Sequence, residues 1–556
     1  MEIGNELANL LLPGIGSDIA GVVNGYPERQ LPPGAMVTRF APSPTGMLHI
    51  GGLYAALVSE RLAHQSGGVF YLRIEDTDKK REVTGSVAGI VEALRYFGIG
   101  FDEGVAGSGV EVGAYGPYQQ SLRREIYQTV VKSLLERGLA YPCFCDETEL
   151  DALRVKQENL GMRPGYYGRW AGHRHATLEQ IRAELNSGKP FVIRFKSPGN
   201  YGKKIVFEDA IKGRIEMPQN DQDIVLLKSD GLPTYHLAHV VDDFLMKTTH
   251  VIRGDEWLAS VPLHLQLFET LGFAPPKYGH IAPILKREGN SKRKFSKRKD
   301  LDAIAGFYQE QGYLGPAVTE YFLTLINSNY PVWRAEHPQE PLTDFRIDLV
   351  KMSISGALFD LDKLNDISKN LIATYRADEI YEQATAWARR YDPELFELLS
   401  DQPEYSLRIF NIERKAGKPR KDFSKWSDIR AGMAFFYDSL FIADCAAGYV
   451  FPANFPTTGI REVLREYLDH YPSGVDHATW FESLKDLAER LGYARDAKTY
   501  KSNPAAYVGH VGDLAMILRV ALTNCTATPE LYAIIQVMGE DRVKKRLRRC
   551  LNTIIL

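Results

Sequence analysis

The chain has 556 residues, more than one hydrophobic core holds, and at roughly 100–200 residues per domain it is expected to form about three to five. Its 67 Lys and Arg stand against 70 Asp and Glu, a net charge of -3, which excludes a uniformly basic nucleic-acid coat and leaves only local basic surfaces. Five cysteines are no disulfide framework, and no run of about 18 apolar residues suggests a membrane span, so a cytoplasmic setting is expected.

The first 36 residues contain Leu10, Leu11 and Leu12 but lack a basic leading region and carry Glu2, Glu6 and Asp18, so they read as a family-atypical extension rather than an export signal. Met36 to Phe40 reads as a strand, followed by the Pro- and Gly-rich loop Ala41 to Gly46 and a helical stretch from Gly52 to His64. Val69 to Ile74 reads as a second strand ending at Glu75, Asp76 and Asp78, and a further helix runs to about Tyr96. This alternation predicts a doubly wound, Rossmann-like α/β domain, whose ligands sit where loops leave the carboxyl ends of strands. From 119 to 222 the pattern is mixed, with strands at Phe191 to Phe195 and Lys204 to Phe207, and reads as an insertion. Strand-like Ile224 to Leu227 and Thr249 to Ile252 resume the α/β character, and beyond about 300 nearly every segment is helical. The last stretch places Val543, Leu547, Leu551 and Ile554 on one face.

Two motifs carry chemistry. His49-Ile50-Gly51-Gly52 lies on a strand-to-helix turn, where backbone N–H groups and the helix dipole favour a polyanion and His49 can donate to phosphate oxygens. Ser291-Lys292-Arg293-Lys294-Phe295-Ser296-Lys297-Arg298-Lys299 reads as a mobile basic loop able to clamp a triphosphate. Taken singly, each has a bland reading: a helix cap beside a glycine turn, and a solvated charge run.

Together the two resemble the nucleotide signature of class I aminoacyl-tRNA synthetases, with Gly52 where that class usually has His. Arg39-Phe40-Ala41-Pro42-Ser43-Pro44-Thr45-Gly46, Arg73-Ile74-Glu75-Asp76-Thr77-Asp78, Ser229 to Ala238, Val240-Val241-Asp242-Asp243 and His250 to Trp257 resemble the glutamyl-tRNA synthetase versions of these segments, bacterial type. The resemblance implies a split catalytic domain at 37–118 and 223–300, an inserted α+β acceptor-stem-binding domain at 119–222, a helical stem-contact region at 301–400 and an all-helical anticodon-binding domain at 401–556, behind the extension 1–36. It implies ATP-dependent ligation of L-glutamate to tRNA(Glu), with His49, Lys294 and Lys297 catalytic. Arg39, Ala41, Ser43, Glu75, Tyr235, His239 and Arg253 would bind glutamate, His239 standing where Asn is frequent in the family. His49, Gly51, Glu256, Trp257, Leu285, Lys294 and Lys297 would bind ATP, with Mg²⁺ held mainly by the phosphates.

A planar guanidinium suits a carboxylate, and a glutamine amide would present N–H groups to it. Cys143-Phe144-Cys145 followed by Tyr166 resembles the zinc-binding insertion of some relatives, but Trp170 stands at the fourth ligand position, with His173 and His175 near it only in sequence. Indole cannot bind zinc, so no metal site is expected. Arg414, Lys415, Lys418, Arg420 and Lys421 are candidate contacts to the RNA backbone. The partners implied are tRNA(Glu), glutamate and ATP, with a monomeric enzyme and no membrane. The alternatives are a glutaminyl-tRNA synthetase, whose anticodon region is a β-barrel, a truncated relative that modifies a tRNA base, and a non-catalytic RNA-binding paralogue.

Overall fold

The structure, a computed structural model, describes residues 2–107, 109–296, 298–414 and 419–554, so Lys297, Lys415 and Lys418 lie outside the described residues. The chain forms two compact units, Met1–Gln309 with Val318–Asp360, and Glu310–Ala317 with Leu361–Leu556.

In the first unit, β1 (Val37–Phe40), a buried strand that carries Thr38 and Arg39, and β2 (Val69–Leu72), an apolar run, pair in parallel from Val37↔Val69 to Phe40↔Leu72. The crossover between them is α3 (Ile50–Gln65), buried along most of its length. β2 pairs in parallel with β3 (Glu103–Gly107), whose outer neighbour β4 (Val110–Val112) is antiparallel. On the other side, Thr249 N–H donates to the Val37 carbonyl at 2.9 Å, laying β10 (His250–Gly254) beside β1. β10 pairs in parallel with β11 (Lys277–Ile281). The chain thus leaves β1 in opposite directions, and the switch point between β1 and β10 opens a crevice at their carboxyl ends, as expected of a doubly wound fold.

Two strands change sheets relative to their place in the sequence. β7 (Lys204–Asp209), inside the mixed segment, pairs with β11 through Tyr278↔Asp209 and carries its hairpin partner β8 (Gly213–Pro218) onto that edge. β9 (Val225–Leu227) instead joins β5 (Ala140–Cys143) and β6 (Val192–Phe195) in a separate antiparallel sheet. An open strand edge pairs with whatever chain returns beside it, which local periodicity does not reveal.

The basic segment expected as a loop begins as a strand. β12 (Ile284–Glu288) and β13 (Ser291–Lys294) form an antiparallel hairpin from Leu285↔Lys294 to Glu288↔Ser291, closed by Gly289 at φ 59°. Backbone pairing overrides the polar side chains because an edge strand can point them to solvent.

Residues 2–36 are anchored. α1 (Glu2–Leu11) and α2 (Ile19–Asn24) pack on α5 (Arg124–Glu136). Beyond them Arg29 donates twice to Glu103, at 2.7 and 2.9 Å, and once to the Met246 carbonyl at 3.1 Å, with its guanidinium 3.7 Å over the Tyr115 ring. Arg29→Ala is expected to lower stability by about 2 kcal/mol, read as a drop in melting temperature, because Glu103 keeps its charge at a half-buried position and loses its bidentate partner.

The second unit is helical, and among its described residues no strand longer than an isolated bridge occurs. The helix Glu540–Thr553 buries Val543 and Leu547, with Leu551 and Ile554 packed against the same core. Two of the arginines expected to meet RNA are built into this unit. Arg414 donates to the Phe410 and Ile372 carbonyls, and the buried Arg420 pairs with Asp422, while Lys421 is exposed.

Candidate active site

The crevice holds a cavity of about 450 Å³. Arg39, Ala41, Ser43, His49, Gly51, Glu75, Tyr235, Arg253, Glu256, Trp257 and Lys294 all line it, from segments up to 255 residues apart. Phe40, Tyr54, Ile252 and the run Ile281 to Ile284 complete the wall. These apolar positions were not singled out in the sequence, where nothing but their location beside strand ends marks them.

Two expected residues sit elsewhere. Leu285 lies on β12 opposite Lys294 and packs near Gly356, outside the cavity wall. His239, on α8 (Tyr235–Leu245), is fully buried one layer behind Tyr235, with ring centroids 5.8 Å apart. Helical spacing turns the two rings toward the same side, and Tyr235 occupies the wall, so His239 does not reach it.

His49 caps α3 and lines the cavity, so the bland and the functional readings of this residue coexist. Its Nδ1 accepts from the Gly51 N–H at 2.9 Å, and its carbonyl accepts from the Gly52 and Leu53 N–H groups. These first-turn donors are already engaged within the turn, which presents the positive end of the helix dipole to the cavity. Glycine fits closely here: a Cβ at Gly51 would come 3.1 Å from His49 Nδ1, and one at Gly52 would come 3.1 Å from Leu48 Cδ1, so a neighbour would have to shift by a few tenths of an ångström. A histidine at 52 therefore requires Leu48 to move.

Charge at the floor is organised by Asp242 and Asp243 of α8, to which the sequence motifs assign no role. Asp243 lies 3.3 Å from Arg39 Nε and accepts from Arg73 Nη1 at 2.6 Å. Burial pushes its carboxyl up, but Arg73 and Arg39 prevail and hold it well below the usual range. Asp242 accepts from Arg123, Gln120 and Tyr127, each at 2.8 Å. Glu75 receives Arg73 Nη2 at 3.2 Å, and burial raises its carboxyl against the pull of Arg73 and Arg39.

Arg253, at the end of β10, has different company. It donates to His280 Nε2 at 3.0 Å, to Tyr235 Oη at 3.1 Å and to the Trp257 carbonyl at 3.2 Å, and it lies 3.4 Å from both His264 Nδ1 and Ser260 Oγ. None of these partners is a carboxylate. Trp257 packs 4.3 Å from Tyr235 by ring centroids, and Lys294 pairs with Glu256 at 3.1 Å on the half-exposed rim.

A second cluster lies on the segment from 140 to 175. Cys145 Sγ is 3.6 Å from Tyr166 Oη and 3.5 Å from His173 Nδ1, and those two atoms are 3.3 Å apart. The ligand atoms of Cys143, Cys145 and His173 all lie within 4.8 Å of one another. The fold thus corrects the expectation that His173 is near only in sequence: a 3₁₀ turn over Gly172–His175 carries it back onto Tyr166. His175 is exposed and stays outside, and Trp170 lies instead beside Arg169 and Lys156.

The parallel sheet with its switch-point cavity, the His49 turn and the Lys294 hairpin define a class I aminoacyl-tRNA synthetase catalytic unit. In agreement, the family described as tRNA synthetases class I (E and Q), catalytic domain, matches residues 35–365, and an anticodon-binding-domain family matches 509–551. A glutamate–tRNA ligase of Clostridium perfringens is 48% identical over 98% of this chain and 99% of its own, and one of Acetivibrio thermocellus is 48% identical over 98% of this chain and 99% of its own. The crystal structure of a glutamate–tRNA synthetase from Elizabethkingia anophelis superposes with a TM-score of 0.72 at 29% identity, covering 93% of this chain and all of that one. The chain belongs to the glutamate–tRNA ligase family. The Clostridium match covers 98% of this chain, so most of residues 1–36 have a counterpart in that relative, against the expectation of an atypical extension.

Proposed function

We propose that the protein ligates L-glutamate to tRNA(Glu) with ATP, through a glutamyl-adenylate. The observation that carries this reading is one cavity lined both by carboxylate-binding groups, Arg39 and Arg253, and by the polyanion-facing pair His49 and Lys294. Glu75 meets the α-ammonium, Arg39 and Arg253 take carboxylates, and Ala41, Ser43 and Tyr235 shape the space between them. His239 acts from behind, through Tyr235 and Asp243. ATP lies over Gly51 with Trp257, Glu256 and the backbone near Leu285, its phosphates toward His49, Lys294 and Lys297, and Mg²⁺ arrives on those phosphates.

The glutamate α-carboxylate attacks the α-phosphorus in line and pyrophosphate leaves, its charge met by His49 and Lys294. The terminal ribose hydroxyl of the RNA then attacks the acyl carbon and releases AMP. Positioning and charge stabilisation carry both steps. The Glu256–Lys294 pair must open for Lys294 to reach a phosphate, and its exposure makes that inexpensive.

We further assign 37–118 with 223–300 to catalysis, 119–222 and 301–400 to the acceptor end and stem, and 401–556 to the anticodon, in a monomeric, cytoplasmic enzyme. The helical second unit favours this over a glutaminyl enzyme with a β-barrel there, and over a truncated base-modifying relative that lacks the region. No helix of the described residues is long and apolar enough to cross a membrane. Pyrophosphate exchange with glutamate and with glutamine, with and without RNA, tests the reading, and an absence of exchange with glutamate and cognate RNA overturns it. Charging of tRNA(Gln) separates a discriminating from a non-discriminating enzyme.

The donor set near Cys143 fits zinc. Bond lengths of about 2.3 Å to sulfur and about 2.0–2.1 Å to nitrogen or oxygen give tetrahedral edges of about 3.3–3.6 Å wherever an N or O ligand takes part, which matches the separations of 3.3, 3.5 and 3.6 Å among Cys145, Tyr166 and His173, with Cys143 Sγ within 4.8 Å of Cys145 and His173. Cys143, Cys145, Tyr166 and His173 would hold the ion in a closed structural site tying β5 to the 166–173 turn, in place of the vacated position 170. Purified protein is expected to contain about one zinc per chain by elemental analysis, with His173→Ala losing most of it. Zinc-free protein purified from zinc-supplied cells returns the cluster to two thiols without a metal.

A further inference from the structure

Arg39 and Arg73 each face the carboxylate of Asp243, whereas every partner of Arg253 among the described residues is neutral. An arginine 6% exposed and without a contacting anion is uncommon, because burying a guanidinium without a counter-charge is costly. A negative charge stands one ring away, behind His280. His280 Nδ1 lies 2.6 Å from Asp209 Oδ2, and Asp209 also accepts from the His280 backbone N–H at 3.2 Å. Arg253 Nε–H can only donate, so His280 Nε2 must accept, and the ring proton is then on Nδ1, donating to Asp209.

Both histidines beside Arg253 obey the same constraint. His264 Nδ1 faces Arg253, and its Nε2 lies 3.0 Å from His236 Nδ1, forming a chain of neutral imidazoles. Burial, with Arg253 beside them, pushes His264 and His236 below the usual imidazole value. The shell thus engages Nε and one donor on each terminal nitrogen closely, leaves the other two with contacts no shorter than 3.4 Å, and does not neutralise the cation.

We propose that His280, oriented by Asp209, is a positioning and specificity-determining residue for the amino acid: it fixes Arg253 through Nε while withholding negative charge, so that the substrate carboxylate supplies the counter-ion. This rests on the assignment of Arg253 to a glutamate carboxylate. A glutamine amide brings no charge to the site and leaves the arginine uncompensated. A carboxylate at position 280 would remove that difference by neutralising Arg253 in advance.

Protonation has the opposite effect. A proton on His280 Nε2 would aim an N–H at the Arg253 N–H and place two cations together. The groups facing the ring are Asp209 from β7, Arg253 from β10, Asp255 from the turn after β10 with its partner Lys212, and Tyr278 of the same strand, stacked at 6.1 Å. Burial and Arg253 keep His280 neutral against the pull of Asp209. Acid should therefore weaken glutamate recognition as His280 takes up a proton.

The test compares KM for glutamate, glutamine and ATP in RNA-dependent aminoacylation by the full chain and its His280→Ala, His280→Gln and His280→Glu variants. KM is read because it does not depend on the folded fraction. His280→Ala is expected to raise KM for glutamate by about 10–100-fold, the worth of one hydrogen bond to a charged group, and to leave KM for ATP within about twofold. His280→Gln, whose amide oxygen can accept from Nε, should restore most of this and lose the acid limb of kcat/KM for glutamate that the wild type shows. His280→Glu should narrow the preference for glutamate over glutamine by about 10²-fold. Equal rises in both KM values for His280→Ala, an acid limb retained in His280→Gln, or an unchanged preference in His280→Glu would overturn the proposal. Arg253→Gln separates the two readings. If it spares KM for glutamate, the assignment of Arg253 falls. If it impairs glutamate while the His280 variants do not, only the role of His280 falls.

Discussion

Arg253→Gln is expected to lower kcat/KM for glutamate by about 10²–10³ while changing KM for ATP by less than about twofold. The guanidinium reaches the cavity with its donors arranged on Tyr235, Trp257 and His280, and no protein carboxylate competes for its charge. A carboxylate bound there gains charge-assisted hydrogen bonds in a site screened from water, and breaking such a pair by removing one partner costs roughly 3–5 kcal/mol. The nucleotide groups His49 and Lys294 belong to α3 and the β12–β13 hairpin, which the substitution does not touch. Steady-state kinetics with each substrate varied in turn checks this. Parallel losses for glutamate and ATP would mean that Arg253 supports the cavity as a whole rather than reading the carboxylate.

Asp243→Ala is expected to be the most destabilising single change around the floor of the site, by roughly 3–5 kcal/mol, read by chemical denaturation. Asp243 is fully buried and compensates Arg73 and Arg39, and its removal leaves Arg39 without its carboxylate and Arg73 with only Glu75 and the more distant Asp242. Asp243→Asn keeps the volume but not the charge, and a loss of more than half that size is expected for it. The pH dependence has a definite sign. The folded-state pKa of Asp243 is depressed, so its contribution is fully present above the ordinary value of 3.8 and is lost as pH falls through the lower folded value. The wild type should therefore lose this part of its stability only in strong acid, and the difference between wild type and Asp243→Asn should shrink there. A constant difference down to the acid transition would assign the effect to packing instead.

Much of this molecule was legible without coordinates. The strands at 37–40 and 69–72 and the helix between them follow from β-branched and aromatic residues and helical spacing punctuated by Pro and Gly, which are local signals. The His49 turn and the basic segment near Lys294 were readable as a pair because nucleotide chemistry needs a helix terminus and mobile cations. Eleven of the expected site residues do converge on one cavity.

What the sequence determined by itself, then, is the order of the elements and the kinds of side chain offered to a polyanion and a dicarboxylate. The tertiary structure alone decided how those side chains are backed. That β7 joins the catalytic sheet and β9 leaves it depends on which open edge each strand meets. That His239 lies behind Tyr235 depends on which face of α8 is turned inward. His173 meets Cys145, and His280 joins Asp209 to Arg253 across 71 and 27 residues, through packing that no local pattern encodes. Periodicity and spacing report the preferences of neighbours in the chain. The charge state and aim of a buried arginine are set by neighbours in space, because burial makes each contact worth more than it would be in water.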